Sequence, residues 1–331
     1  MLENTQGMDK TTKIKLDLKD KKILSLLDEN CRYSNSQIAS RVGLSKPAVE
    51  YRLQRMQKNN VIFNFFTLID FTKLGYSQYK LYFKFQNASL EDEKRIIEYF
   101  SKQKNIIWIA SLRGKWDLAI SALARNNFEF GSILKEFMNK YSKFILEKDI
   151  LLTEYSPLYS RDYLSGKKNK EFLYGIPSKT YELDEEESLI LKGLSTNARI
   201  NIIDLAEKIK LSRDIINYRL KKLLKDGIIV QFSIYPNLKN IGVNHYKIIF
   251  RTINFDEKAE KELKHYVASH KKATQLLKLI GSWDIEIEFE TESEDELHAI
   301  LTEIRQKFSR VIRDFDIIRI TNNYKFDFFP F

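Results

Sequence analysis

Residues 42–53 read Val-Gly-Leu-Ser-Lys-Pro-Ala-Val-Glu-Tyr-Arg-Leu, and residues 209–220 read Ile-Lys-Leu-Ser-Arg-Asp-Ile-Ile-Asn-Tyr-Arg-Leu. The two stretches lie 167 positions apart and share a Leu-Ser pair and a Tyr-Arg-Leu triplet at matching places. In each stretch a serine stands where it can cap a helix whose apolar residues recur at spacings of three and four. Both stretches therefore predict the third helix of a helix-turn-helix, with the turn just before the serine.

The same shift relates the two halves of the chain over most of their length. It pairs Leu16-Asp17 with Leu183-Asp184 before the first helix, and Trp116-Asp117 with Trp283-Asp284 much farther along. No gap is needed in between, and chance does not hold one register over so long a stretch. The chain is therefore predicted to be a tandem duplication.

Each copy begins with three short helices and continues with an α+β section. After the helices, Val61-Ile62-Phe63 is strand-like and indicates a wing. Alternation of apolar and polar residues over 79–85 predicts a half-buried strand, and the segments that follow give the order β-α-β-β-α-β, the ferredoxin-like arrangement. Helices cover one face of such a sheet, so the uncovered faces are expected to pair between copies or between chains. Our hypothesis is that the two sheets of one chain pack together as a pseudo-dimer.

The predicted domains follow from this repeat, and the fold class is α+β. Winged helix-turn-helix domains are predicted at 14–72 and 181–239, ferredoxin-like domains at 75–160 and 242–331, and a linker at 161–180. The linker is predicted because this segment combines Gly166, Gly175 and Pro177 with several lysines.

Composition excludes several classes of protein. Of the 331 residues, 43% are hydrophobic and 30% are charged, which is typical of a packed globular chain. The single cysteine, Cys31, excludes a disulfide framework and a cysteine-based zinc site. The segment from Met1 to Lys10 is polar, and no apolar run approaches the roughly 20 residues that cross a bilayer. We therefore expect a cytoplasmic protein with no membrane partner and no cofactor.

The outer face of the third helix in each copy is the candidate DNA-binding surface. A net charge of +10 permits a nucleic-acid partner without identifying one. Arginine, lysine, glutamine and asparagine on such a face suit the major groove and phosphates of double-stranded DNA. The candidates are Ser45, Lys46, Glu50, Arg52, Gln54, Arg55 and Lys58 in the first copy, and Ser212, Arg213, Asn217, Arg219, Lys221 and Lys222 in the second.

A solvated basic face that binds nothing is the alternative for this surface. Arg52 and Arg219, which occupy matching positions, are equally consistent with holding phosphate and with pairing to an acid of their own domain. The copies also differ, since Glu50 corresponds to Asn217, so a symmetric palindrome is not expected as the preferred site. Lys210 replaces the turn glycine in the second copy and is expected to strain that turn.

The turn between the second and third strands of each sheet is the candidate effector site. As a hairpin turn, it needs a glycine for its backbone conformation and a tryptophan to cover an edge. As a ligand loop, its amides could hold a carboxylate while its aspartate takes an amino group. The candidates are Gly114, Trp116 and Asp117 in the first copy, and Gly281, Trp283 and Asp284 in the second.

Together these motifs resemble the Lrp/AsnC, or feast/famine, family of transcriptional regulators. The resemblance rests on Leu16-Asp17, Val42-Gly43-Leu44-Ser45, Val61-Ile62 and Gly114-Lys115-Trp116-Asp117, in the family's order and spacing. It implies winged helix-turn-helix domains and ferredoxin-like RAM-type domains that dimerise sheet to sheet and often bind an amino acid. This chain departs from the pattern by fusing two copies, so one chain is expected to do what a dimer normally does, and further pairing into a homodimer stays open.

An enzyme of the same architecture is the alternative function. Fused tandem forms of a related fold serve as sirohaem decarboxylases, which are expected to use histidines and arginines around a tetrapyrrole. His245 lies in a predicted strand and could face a cavity, although a lone histidine is more often structural. No nucleophile, phosphate-loop or HExxH pattern is present. We therefore predict a sequence-specific DNA-binding regulator that is modulated by a small effector such as an amino acid, and not an enzyme.

Overall fold

The computed structural model describes residues 14–166, 170–176 and 179–329, apart from the side chain of Thr196. The polar start of the chain, Pro177 of the predicted linker and the last two residues of the predicted fourth domain lie outside the described residues.

The elements repeat in the order that the duplication predicts. The first repeat contains α1 (Leu18–Glu29), α2 (Asn35–Val42), α3 (Lys46–Lys58), β1 (Ile62–Ile69), β2 (Ser77–Phe85), α4 (Leu90–Lys102), β3 (Ile106–Arg113), β4 (Leu118–Ala124), α5 (Asn127–Tyr141) and β5 (Ile145–Tyr159). A short strand, β6 (Glu171–Tyr174), follows. The second repeat contains α6 (Glu185–Thr196), α7 (Ile202–Ile209), α8 (Arg213–Lys225), β7 (Ile229–Pro236), β8 (Asn244–Thr252), α9 (Glu257–Ser269), β9 (Ala273–Ile280), β10 (Ile285–Thr291), α10 (Glu294–Lys307) and β11 (Ile312–Phe326).

The turn before the third helix has the same left-handed backbone in both copies. Gly43 adopts a φ of 65° and Lys210 a φ of 58°. The serines that follow, Ser45 and Ser212, accept hydrogen bonds from backbone N–H groups in the first turn of α3 and α8. The lysine therefore keeps the glycine's geometry, at the steric cost that a side chain has in this region.

Replacing Lys210 with glycine is expected to stabilise the chain by roughly 0.5–1 kcal/mol, because the relief of strain exceeds the added freedom of glycine in the unfolded chain. The first copy supplies the matched control, since Gly43→Lys should destabilise by a similar amount. Chemical denaturation of both variants measures the two shifts. Equal stability of Lys210→Gly and the parent would show that the relief of strain does not exceed the freedom that glycine adds to the unfolded chain.

The strand predicted as a wing joins the two helix-turn-helix domains, which we call the heads. β1 pairs with β7 in an antiparallel two-stranded sheet, so each strand takes its partner from the other repeat. The predicted winged helix-turn-helix domains are confirmed, and their wing strands pair with each other. The strand is too apolar to stand alone, since Phe66, Leu68 and Ile69 are buried.

Two arginines at matching positions of the repeats each bind the opposite head and hold the heads together. Arg32 donates from Nη1 to the carbonyl oxygens of Ala198 and Ile200, at 2.7 and 3.1 Å. Arg199, at the matching position of the second copy, donates back to the carbonyl oxygen of Tyr33 at 2.9 Å. Each guanidinium thus satisfies backbone carbonyls of the opposite head, which fixes the two heads as one unit.

The two ferredoxin-like sheets close into one ring of strands. Their orders are β5-β2-β4-β3 and β11-β8-β10-β9, as the β-α-β-β-α-β prediction requires. β3 pairs with β11 and β9 pairs with β5, so the repeats join at both edges, and β6 adds to β5 outside the ring. The faces left bare by the helices are thereby enclosed inside the ring.

The ring encloses the second face of the strand at 79–85, so the prediction that this strand is half-buried is wrong. Tyr79 and Phe83 pack in the core beneath α4 and α5, as expected. Lys80, on the opposite face, points into the ring and is only 3% exposed. A lysine that would face solvent in an isolated sheet is buried because the second repeat closes over it.

Candidate functional site

Most of the residues predicted to bind DNA lie on an open surface of the heads. Nine of the thirteen are exposed: Ser45, Lys46, Glu50, Gln54, Lys58, Ser212, Arg213, Asn217 and Lys221. They lie on α3 and α8 or at the caps of these helices, and the cap serines place the first N–H groups of each helix at the same surface. Exposed helix N-termini and basic side chains are groups that contact phosphates.

The remaining four candidates are half-buried and bind acids of their own head. Arg52 donates from Nη1 to Asp17 and Asp20, each at 2.7 Å. The other contacts are Arg55 with Asp20, Arg219 with Asp184 and Glu186, and Lys222 with Glu187. These side chains tie the third helix to the first, so they favour the structural alternative for Arg52 and Arg219.

Two tyrosines on the same surface are additional candidates. Tyr51 and Tyr218 hold matching positions and are 65% and 66% exposed. An exposed ring of this size is apolar surface that can contact a thymine methyl group or a sugar. The identity of the two positions under the 167-residue shift is the signal that could have identified them from the sequence.

The predicted effector residues of the two copies come together at one end of the ring. Trp116 and Trp283 are 0% and 1% exposed, and the Lys115 ammonium lies 5.1 and 5.7 Å from their ring centres. Asp117 accepts a hydrogen bond from the backbone N–H of Phe85. The matching contacts of Asp284 are with the backbone N–H and hydroxyl of Thr252.

The turn glycines are required by the closed ring. Gly114 has a φ of 125°, and a Cβ there would lie 2.8 Å from the carbonyl oxygen of Ile317 in the other repeat. Gly281 would place a Cβ 2.6 Å from the Leu151 side chain. Each turn therefore packs against the last strand of the opposite repeat, which accounts for the glycine without a ligand.

The other end of the ring encloses charged side chains around a cavity of about 70 Å³. Lys80 and Lys247, which are equivalent in the repeat, both donate to Glu286 Oε1 at 2.6 Å. Glu288 accepts from Lys247 and, at 2.8 Å, lies against Nε2 of His245. Burial outweighs the attraction of Glu286 and lowers the pKa of Lys80 to about 8.

Sequence reasoning missed this cluster, although a signal was present. Lys80 and Lys247 are identical under the shift, and Glu286, Glu288 and Glu290 alternate along one strand. In the sequence, each of these residues looks like a solvent-facing residue of an ordinary strand, because the sequence alone does not show that the ring closes.

Arg161 links the cluster to the first head. It donates to Asp28 of α1 at 2.6 Å and to Glu290 of β10 at 2.9 Å. Tyr163 also donates to Glu290. The segment predicted as a linker thus begins with a buried ionic junction between a head and the ring.

Among the described residues, no group of three or more histidines, cysteines, aspartates and glutamates is arranged to hold a metal ion. Burial raises the pKa of the Cys31 thiol to about 12, so it stays protonated. No helix in the described ranges is long and apolar enough to span a membrane.

Comparison with known proteins gives matches to both heads. A family model described as winged helix-turn-helix DNA-binding matches residues 16–62 and again 184–230. An uncharacterized HTH-type transcriptional regulator of Pyrococcus furiosus is 31% identical over 124 residues, which are 37% of this chain and 81% of that protein.

Two solved structures are similar to the chain. The siroheme decarboxylase NirDL covers 94% of this chain and 93% of its own, with a TM-score of 0.60 and 12% identity, which is a likeness of fold. E. coli AsnC is 24% identical and covers 43% of this chain and 95% of its own, with a TM-score of 0.37.

Proposed function

We propose that the chain, which belongs with the HTH-type transcriptional regulators that it matches, is a regulator of the Lrp/AsnC family that binds double-stranded DNA through both heads under the control of a small effector. The observation that carries the proposal is the pair of exposed faces on α3 and α8, which the heads present as one unit. Two recognition helices fixed in this way suit successive major grooves, roughly 34 Å apart.

The differences between the two faces support an asymmetric site. Glu50 of the first head corresponds to Asn217 of the second, and Gln54 corresponds to Lys221. An acid favours cytosine at the groove edge, whereas asparagine favours adenine. The two half-sites are therefore expected to differ in sequence.

Titration of salt tests whether the heads bind DNA. The full chain is mixed with labelled genomic fragments, and fluorescence anisotropy is followed from about 50 to 200 mM salt. If six or more phosphates are contacted, affinity should fall by about 10³-fold or more over this range, with some fragments retained at the higher salt. Absence of binding at 50 mM would overturn the proposal.

A tetrapyrrole-decarboxylating enzyme is the other function suggested by the architecture, and we do not assign it. The NirDL likeness at 12% identity is one of fold. The cavity of about 70 Å³ has room for roughly five waters, far less than a tetrapyrrole occupies. Iron uroporphyrin added to the full chain should therefore show no shift of its Soret absorption.

A further inference from the structure

We propose that the two heads bind DNA unequally and that most of the affinity comes from the first head. Asp204 and Asp214 of the second head are the residues that weaken its contact with phosphates. The inference rests on the proposed function, because it concerns the interface through which the chain binds DNA. It deepens that function by dividing the affinity between the heads.

The first head presents no acid at the helix ends that meet the DNA backbone. In a helix-turn-helix the N-terminal residues of the recognition helix enter the major groove, and the helix before it crosses the backbone. Free N–H groups and the helix dipole make both N-termini attractive to phosphate. Neither α2 nor α3 has an acid in its first turn, and Lys46 adds a positive charge at the start of α3. Both helix ends of the first head therefore favour phosphate.

The second head has an aspartate at each of these places. Asp204 lies in the first turn of α7 and Asp214 in the first turn of α8, and both are exposed. The matching residues of the first head, Gln37 and Pro47, are uncharged. The ion pairs of the second head, within the described residues, connect α8 with residues 184–187 and include neither aspartate. Each carboxylate therefore offsets the positive end of its helix and repels a phosphate there.

Two additional lysines of the second head do not compensate for its acids. Among the exposed residues of 35–59 the first head has three cations and one acid, whereas the matching stretch of the second head has five cations and four acids. The excess of positive charge is therefore larger in the first head. Of the added lysines, Lys210 lies in the turn outside both helices, and Lys221 lies about two turns beyond Asp214 along α8. Because charges act over only roughly 10 Å at 0.1 M salt, the acids in the first turns dominate at the helix ends.

Unequal heads give the complex with DNA a direction. The first head holds the backbone, and the second head adds contacts to base edges through Asn217 and Lys221, which are exposed on α8. The half-site under the first head is therefore expected to determine affinity, and the half-site under the second head to add selectivity.

Removal of the two negative charges tests the assignment. Asp204→Asn with Asp214→Asn keeps the size of both side chains. It should strengthen binding of the full chain to the labelled genomic fragments about tenfold or more at 0.1 M salt, because roughly one phosphate contact is gained. The slope of log affinity against log salt should steepen by about 0.9, and fluorescence anisotropy measures both effects. Unchanged affinity and slope would overturn the inference.

Glu91→Gln with Glu257→Gln is the matched control. These glutamates are exposed in the first turns of α4 and α9, so the variant makes the same change of net charge at helix N-termini of the ring. It should alter affinity by less than about threefold. A gain equal to that of the aspartate variant would assign the effect to net charge alone and would also overturn the inference.

Cations at matching positions compare the two heads directly. The pairs are Lys46 with Arg213 and Lys58 with Lys225, and all four side chains are exposed. Glutamate at both positions of the first head should weaken binding about 100-fold, and glutamate at both positions of the second head should weaken it about tenfold or less. In the background of the two aspartate substitutions, the second loss should rise toward the first. Equal losses in the parent background would contradict the unequal division of affinity.

The same titrations separate this inference from the proposed function. Absence of DNA binding by the parent and by every variant would reject the regulator, and the inference with it. DNA binding that depends equally on the two heads would reject the inference alone.

Discussion

Replacing Lys46 and Lys58 with glutamate is expected to weaken DNA binding about 100-fold at 0.1 M salt. Both side chains are exposed on α3, and neither forms an ion pair within the described residues. Each phosphate contact contributes about one decade of affinity at this salt concentration, and its loss lowers the slope of log affinity against log salt by about 0.9. Anisotropy titrations at several salt concentrations measure both effects.

A charge-matched variant in the ring is the control. Lys94→Glu with Lys135→Glu changes the net charge by the same amount at exposed positions of α4 and α5, away from the heads. It should alter affinity by less than a few-fold. If both variants lose binding equally, the chain attracts DNA through its overall charge and α3 is not a recognition helix.

Replacing Arg161 with methionine is expected to destabilise the chain by about 3–5 kcal/mol. The arginine lies between Asp28 and Glu290, and the side-chain exposures of the three residues, in this order, are 11%, 4% and 0%. Its removal leaves two carboxylates in the interior without a counter-charge, which costs far more than a surface pair. Chemical denaturation followed by fluorescence measures the loss.

Arg95→Met supplies the comparison, because Arg95 pairs with Asp92 on an exposed helix surface. That variant should lose less than about 0.5 kcal/mol. A loss of similar size in Arg161→Met would show that the junction is not a stabilising contact.

The Arg161→Met defect should shrink in acid. Burial already raises the pKa of Asp28 despite the arginine beside it. A carboxyl whose pKa is raised by folding destabilises the folded state at neutral pH, and this cost disappears as the pH falls through the raised pKa toward the ordinary value of 3.8. The difference between variant and parent is therefore expected to be largest at neutral pH.

The sequence predicted what is local or periodic. Capping serines, the turn before α3 and the β-α-β-β-α-β order depend on neighbouring residues, so they are visible in the chain itself. The repeat shift also anticipated that two sheets would cover each other. Lys210 shows the limit of a local rule, since a lysine there still adopts the left-handed turn.

What could not be predicted depends on contacts between the repeats. The pairing of β1 with β7 and the burial of Lys80 follow from strands far apart in sequence. Arg161 was predicted to begin a linker, because the two acids that it contacts, Asp28 in α1 and Glu290 in β10, lie far from it in the sequence. The assignment of DNA and effector residues remains a prediction. Arg52 and Arg219 show that some basic residues of a recognition helix bind acids of their own head, while others on the same helix face solvent.

The ring closed by β3 with β11 and β9 with β5 also bears on how such a protein responds to its own abundance. A regulator assembled from separate subunits loses its paired heads on dilution, so promoter occupancy rises with more than the first power of its concentration. Here both halves are covalently joined, and each is always present for the other. Occupancy of one site by one chain should follow a simple hyperbola down to the lowest expression levels.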